Sequence, residues 1–201
     1  MAASLTDDLL NQLQGPQLTR IGQQLGLSES QASGAVSAAL PLLIGALGRN
    51  AGQPQGAEAL FGALQRDHAG LDPGSVLGSV LGDGGQGGQI LGHIFGDRQE
   101  TAAKGLGGAT GLGSNQASGL LKILAPIVLA YLAKRLFAQG GTAGASPQVL
   151  GNVLGQERQR IQQQDGLGGG LLNAVLDQDG DGQLGLSDLM KLGGGLFGGH
   201  R

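Results

Sequence analysis

Four aspartates fall within twelve residues in the run DQDGDGQLGLSD, at Asp177, Asp179, Asp181 and Asp188. Asp177, Asp179 and Asp181 occupy positions 1, 3 and 5 of an EF-hand loop. Gly182 stands where that loop turns sharply, and Gln183 offers a backbone carbonyl at position 7. Gly185 leaves position 9 to a water. Asp188 takes the place of the usual bidentate Glu, as in dockerin-like loops, and Leu184 is the apolar residue that buries beneath the loop. Hard carboxylate and carbonyl oxygens at this spacing suit Ca²⁺. The expected metal ligands are therefore Asp177, Asp179, Asp181, Gln183 and Asp188, with Leu171–Leu176 and Leu189–Leu192 as short flanking helices. The competing reading is a solvated acidic turn.

Other residues that could do chemistry are sparse. His68, His93 and His200 have no metal-ligand spacing; His93 reads as a structural residue, with a helix-surface pair to Asp97, four residues on, as the other option. No nucleophile elbow, P-loop or dinucleotide fingerprint is present. The sequence predicts no enzyme. The absence of Cys excludes disulfides and thiolate sites. Leu18–Leu25, Gly26-Leu27 and Ser28–Ala39 have helix-turn-helix spacing. A DNA reader needs Arg or Lys for phosphates and Arg, Asn or Gln for base edges. SESQASGAVSAA has no basic residue, and its second copy adds only Lys122, with Asn115 and Gln116. A nucleic-acid-associated regulator is thus the alternative reading, and nucleic acid is not the expected partner.

The elements that must position these residues read as helices. Leu5, Leu9, Leu10 and Leu13 make one helical face, which Gly15-Pro16 ends. Pro16 suits the first turn of the next helix, which carries Leu18, Ile21 and Leu25 and stops at Gly26. Ser28 with Gln31 is a capping-box pattern opening a third helix. Pro41 sits inside that helix, removes a hydrogen bond and costs about 3 kcal/mol, so a kink or restart is expected there, and again at Pro126. Val76–Leu81 is short, but reads as helical.

The chain resembles itself. The 22 residues from Gly26 and the 22 from Gly111 align without a gap and share eight identities, including QASG (Gln31–Gly34, Gln116–Gly119) and Pro41/Pro126. VLGSVLG at Val76 recurs as VLGNVLG at Val149, with ILGHIFG at Ile90 a looser copy. The expectation is an all-α chain of two tandem duplicated units, 1–88 and 89–165, followed by an EF-hand-like loop and Gly-rich tail, 166–201. Gly82–Gln89 is the expected connector between the halves, and Gly140–Pro147 a further loop.

With 42 Gly in 201 residues and only five aromatics, the core must be Leu, Val, Ile and Ala. Helical Gly costs roughly 1 kcal/mol relative to Ala, so close packing or a partner must compensate. Ala32, Ser33, Gly34, Ala38, Ala117, Ser118 and Gly119 are small-residue surfaces expected to pack the repeats together. Residual apolar surface then supports a homo-oligomer. Residues 1–90 carry three basic and seven acidic groups, and residues 91–165 seven and four, so the halves have opposite sign. The two longest uncharged apolar stretches, 35–48 and 123–133, fall short of the ~20 residues of a membrane span. MAASLTDDLL lacks the marks of a signal peptide, so a cytoplasmic location is expected.

ILGHIFGDRQE, followed after a short gap by GLGSNQASGLLKILAPIVLAYLAK, resembles the core signature of the DUF937 family of bacterial proteins, which is related to YidB-like proteins. The stretch from Leu91-Gly92-His93 to Ala125-Pro126-Ile127 carries the likeness, and members similarly end in an Asp-Gly-Asp-Gly segment, so that it extends over nearly the whole chain. The resemblance implies an all-α fold, homeodomain-like in the YidB relatives, and no established activity. The expected function is that of a non-enzymatic structural or interaction protein that self-associates and binds Ca²⁺.

Overall fold

Capping starts and stops the helices largely where the sequence places them. The computed structural model of the chain describes residues 4–68, 71–83, 86–138 and 145–163. Ser4 caps α1 (Leu5–Leu13), its hydroxyl accepting from the Asp7 N–H at 3.0 Å. Leu5, Leu9 and Leu13 are buried. α2 (Pro16–Leu25) ends at Gly26 with φ 65°, a left-handed cap only glycine adopts cheaply. The Ser28–Gln31 capping box opens α3 (Glu29–Ala51). α4 (Pro54–Ala63) runs into a π turn, Leu64–His68. Among the described residues there follow α5 (Pro73–Asp83), α6 (Gly87–Phe95), α7 (Gln99–Thr110), α8 (Ser114–Ala138) and α9 (Pro147–Gln163), with a 3₁₀ turn at Gly96–Arg98. Pro16, Pro54, Pro73 and Pro147 each begin a helix, where a missing N–H has no cost. The fold is all-α among the described residues.

Two sequence expectations change. Of the expected kink or restart at Pro41 and Pro126, the restart does not occur, for α3 and α8 each run through as one helix. Pro126 frees the Lys122 carbonyl, which Gly87 of α6 approaches so closely that any Cβ there would collide. Pro41 frees the carbonyl of Ser37, an exposed residue with access to water. The 82–89 connector is also shorter than its glycines suggest. Gly87, Gly88 and Gln89 form the first turn of α6, so the 88/89 boundary falls inside a helix. Gly87 there serves close packing on α8 rather than chain freedom.

α3 and α8 pack together at the centre and are apolar on nearly every side, as befits helices enclosed by others. α3 is long and apolar enough to meet the length and composition of a membrane span, but it lies buried in this core. α1 and α2 cover α3, while α6 and α7 cover α8. The remaining contacts cross over. α2 also reaches α8, and α7 reaches α3; α5 seats on α8, and α9 on α3 in the most extensive helix pair of the fold. The described apolar residues consequently form one continuous core. Gly48 lets α9 approach α3, since a Cβ there would lie 2.8 Å from the Leu154 carbonyl oxygen.

Local geometry repeats 85 residues apart. Gly111 caps α7 at φ 72° as Gly26 caps α2. The Gln31 amide oxygen accepts from the Ser28 N–H at 3.0 Å, and that of Gln116 from the Gly113 N–H at 3.1 Å. A Cβ on Gly22 would meet the Leu27 oxygen at 3.1 Å, and one on Gly107 the Leu112 oxygen at 2.8 Å. The small residues divide by role. Ala32, Ala38 and Ala117 are buried, Ser33 and Gly34 are exposed, and Gly119 abuts Leu25 of the other half.

Candidate functional site

Asp177, Asp179, Asp181, Gln183 and Asp188, the expected Ca²⁺ ligands, lie outside the described residues, as does the whole 166–201 segment. Among the described residues, no three His, Asp or Glu side chains converge on one point.

The side chains with unusual surroundings in the helical body are joints between helices. Glu157 of α9 is 3 % exposed. One of its oxygens accepts from the Thr6 N–H at 3.3 Å and from the Thr6 hydroxyl at 3.1 Å, satisfying a first-turn donor of α1. Arg160 stands 3.8 Å from the other oxygen. Asp8 of α1 takes an ion pair from Arg135 of α8 at 2.7 Å and a long hydrogen bond from the Tyr131 hydroxyl at 3.4 Å. Burial pushes the Tyr131 hydroxyl up to about 12; Arg135 opposes the rise and Asp8 adds to it. Lys134 pairs with Asp72 at 2.9 Å, and this bond, with the Gly74 N–H, holds the Asp72 carboxyl below its ordinary value. Asp8–Arg135 and Asp72–Lys134 both join the acidic half to the basic one.

A groove of about 530 Å³ lies between α4 and α6. Its floor is Leu47, Leu60, Ile90, Ile94 and Leu129. Gln53, Gln86 and Gln89 line its walls with amides, and Arg66, Asp67 and His93 supply titratable groups. Two features shape it. The Asn50 amide donates to the His93 and Ile94 carbonyls at 3.2 and 2.9 Å, tying the end of α3 to the end of α6. The π turn carries Arg66 and Asp67 to the rim, and its irregularity is of a kind frequent at functional sites. The lining has an apolar base, polar amides and no hydroxyl, thiol or amine nucleophile, a composition suited to holding an apolar group.

The His93–Asp97 pair that the spacing allows does not form on one helix. In the structure α6 stops at Phe95, Gly96 takes φ 57°, and Asp97 falls in the 3₁₀ turn, so the i,i+4 geometry is lost. His93 is exposed and faces the groove instead. No periodicity announced the groove, because Asn50, Arg66 and Ile90 meet only through tertiary packing.

The helix-turn-helix succession is present twice, as α2–α3 and α7–α8. Its second helices are the central core helices. The first turns of α3 expose Glu29, Ser30, Ser33 and Gly34, while the same part of α8 exposes Asn115 and Lys122. An acidic residue, small side chains and a single Lys give phosphates little to bind.

Residues 7–135 match the family described as bacterial protein of unknown function (DUF937). The chain belongs to the DUF937 family. The match spans α2 to α7 entire, with most of α1 and α8, and ends before α9 and the acidic loop, short of the near-complete coverage expected from the resemblance. No curated protein matches this DUF937 chain. No solved structure matches it either.

Proposed function

We propose that this DUF937 chain is a non-enzymatic interaction protein that self-associates and binds Ca²⁺ through one EF-hand-type loop. The observation that carries this reading is the Asp177–Asp188 succession, in which carboxylates, the turn glycine and the apolar anchor Leu184 all fall at the required positions. The body supports it in kind. Its buried polar groups are spent on helix joints, which suits a scaffold. Surface apolar groups remain, with Val149 and Val153 on α9 at 40 % and 38 % exposed.

The same reading takes the body as a tandem duplication, units 1–88 and 89–165, ahead of the 166–201 segment. The recurrence of cap, capping-box acceptor and glycine approach at a constant offset of 85 residues supports it. The relation to YidB-like proteins belongs with this reading and adds no residue to the site.

Four carboxylates within one empty loop repel one another, and a divalent cation relieves that repulsion. Asp188 is one methylene shorter than Glu, the chain carries no second EF-hand motif and flanking Gly residues leave the helices short, so affinity falls at the weak end of the EF-hand range, on the order of 10⁻⁵–10⁻³ M. Isothermal titration of the full chain with Ca²⁺ is expected to show one site of that strength, abolished in the Asp177→Ala/Asp181→Ala double variant. No binding heat at millimolar Ca²⁺, or equal heat from the variant, would remove the site.

A further inference from the structure

Asn50 and the glutamines of the α4–α6 groove carry the same amide group but spend it differently. The Asn50 amide is taken up by the His93 and Ile94 carbonyls. Gln53, Gln86 and Gln89 are exposed at the rim, and their side-chain amides have no hydrogen-bond partner among the described residues. Each amide offers two donors and an acceptor. Below them Leu60 and Ile90 are half-buried, packed on the core with apolar surface left over. α4 faces the groove with Gly56, Ala59 and Ala63, side chains short enough to let another chain lie against that wall. Among the described residues of the lining, the full charges are Arg66 and Asp67, adjacent and of opposite sign. An anion in the groove meets Asp67, and a cation meets Arg66.

We propose that this groove binds an uncharged aliphatic peptide segment of a partner protein, its side chains on the Leu and Ile floor and its peptide groups on the glutamine amides. The proposal goes beyond the Ca²⁺ and self-association reading and does not depend on it. Three observations select this occupant. A peptide group sets one donor beside one acceptor, which a side-chain amide complements and a carboxylate or ammonium does not. Gln86 and Gln89 are three residues apart, about 4.5 Å along the axis of α6. Peptide groups recur every 3.3–3.6 Å or so in an extended chain, so successive groups reach both amides, whereas a ligand with a single amide meets one. The lining has branched aliphatic side chains, no aromatic ring and charges that cancel, which fits Leu, Ile, Val or Ala in the segment and disfavours Asp, Glu, Lys or Arg. Its volume of about 530 Å³ falls within the range of ligand pockets, about 300–1,000 Å³.

The probe is the blocked peptide acetyl-Leu-Gly-Leu-amide, titrated to millimolar concentration into the ¹⁵N-labelled full chain and followed by NMR. Shifts are expected at the groove, the side-chain amides of Gln86 and Gln89 among them. The Gln86→Ala/Gln89→Ala chain should bind about tenfold more weakly, the effect of losing two neutral hydrogen bonds. Ala59→Arg, at an exposed position, should fill the groove and abolish binding, while Gln156→Ala on the exposed face of α9 should leave it unchanged. Circular dichroism of each variant should match the wild type, and if one groove variant fails to fold the other carries the comparison. The same peptide with a free carboxylate, or with Lys in place of Leu, should bind more weakly than the blocked form. No shift at millimolar peptide, shifts that persist in the folded groove variants, or equal binding of the charged peptides would overturn the proposal. Equal binding of N-butylpentanamide overturns it too, since the groove then takes a small amide and not a peptide. Groove shifts that grow with chain concentration in the absence of peptide would assign the groove to a second copy, with the same consequence.

Discussion

At the scale of single residues, the account rests on side chains that join helices. Tyr131 is the one Tyr in a chain without Trp, so a tyrosinate titration reads it alone. Its folded value of about 12 exceeds the ordinary value of about 10. A group raised on folding gives stability that is intact below the ordinary value and lost as pH climbs through the folded one. Ultraviolet titration of the native chain should therefore show a midpoint well above that of the denatured chain, with stability falling from about pH 10 upward. Coincident midpoints would mean that Tyr131 is not enclosed between α1 and α8. Glycines separate into two groups by the same logic. Gly48→Ala puts a methyl against the Leu154 carbonyl and should cost about 1–3 kcal/mol in denaturant unfolding. Gly78→Ala, mid-helix on α5 with nothing within 4 Å, should gain about 0.5–1 kcal/mol. The reverse order would refute the close approach of α9. Of these roles only the Ser28–Gln31 cap was legible beforehand, because both partners sit three residues apart in the chain. Glu157 and Thr6 are 151 apart, and no local pattern connects them.

At the scale of elements, helix starts were readable from Ser28 and Pro16 and a helix stop from Gly26, since capping is local chemistry. The continuity of α3 and α8 was not. The carbonyls that the prolines free lie in different places, on the exposed Ser37 in one case and against Gly87 of α6 in the other, and neither place can be read from local sequence. The glycines of 82–89 misled for the same reason, since close packing and chain freedom both select Gly. α1 depends on two polar joints, to α8 and to α9. Glu157→Ala should leave the Thr6 N–H and hydroxyl short of an acceptor and lower stability by about 1–3 kcal/mol. Hydrogen exchange should show the loss first in α1. Uniform loosening across all helices would argue against a local joint. By contrast the Lys134–Asp72 pair is exposed, so Lys134→Ala should change stability by less than about 1 kcal/mol.

At the scale of the whole molecule, the two halves form one apolar core, with ion pairs of opposite sign between them at its edge. The charge asymmetry was visible in the sequence and becomes Asp8–Arg135 and Asp72–Lys134. The crossing of α5 and α9 was not visible, because a VLG motif carries no mark of which long helix it will seat on. The groove stayed hidden likewise, its walls being contributed by four helices and a π turn. The proposed Ca²⁺ loop is the converse case: twelve consecutive residues hold the whole pattern, so the sequence alone suggests it. The central claim is that this chain works by association, with its own copies and with Ca²⁺. Light scattering of the full chain over a wide concentration range, with Ca²⁺ and with chelator, tests that most directly. The account predicts a mass rising from that of the 20.0 kDa chain toward twice that value as concentration increases. A mass fixed at 20.0 kDa at every concentration, with or without Ca²⁺, would contradict it.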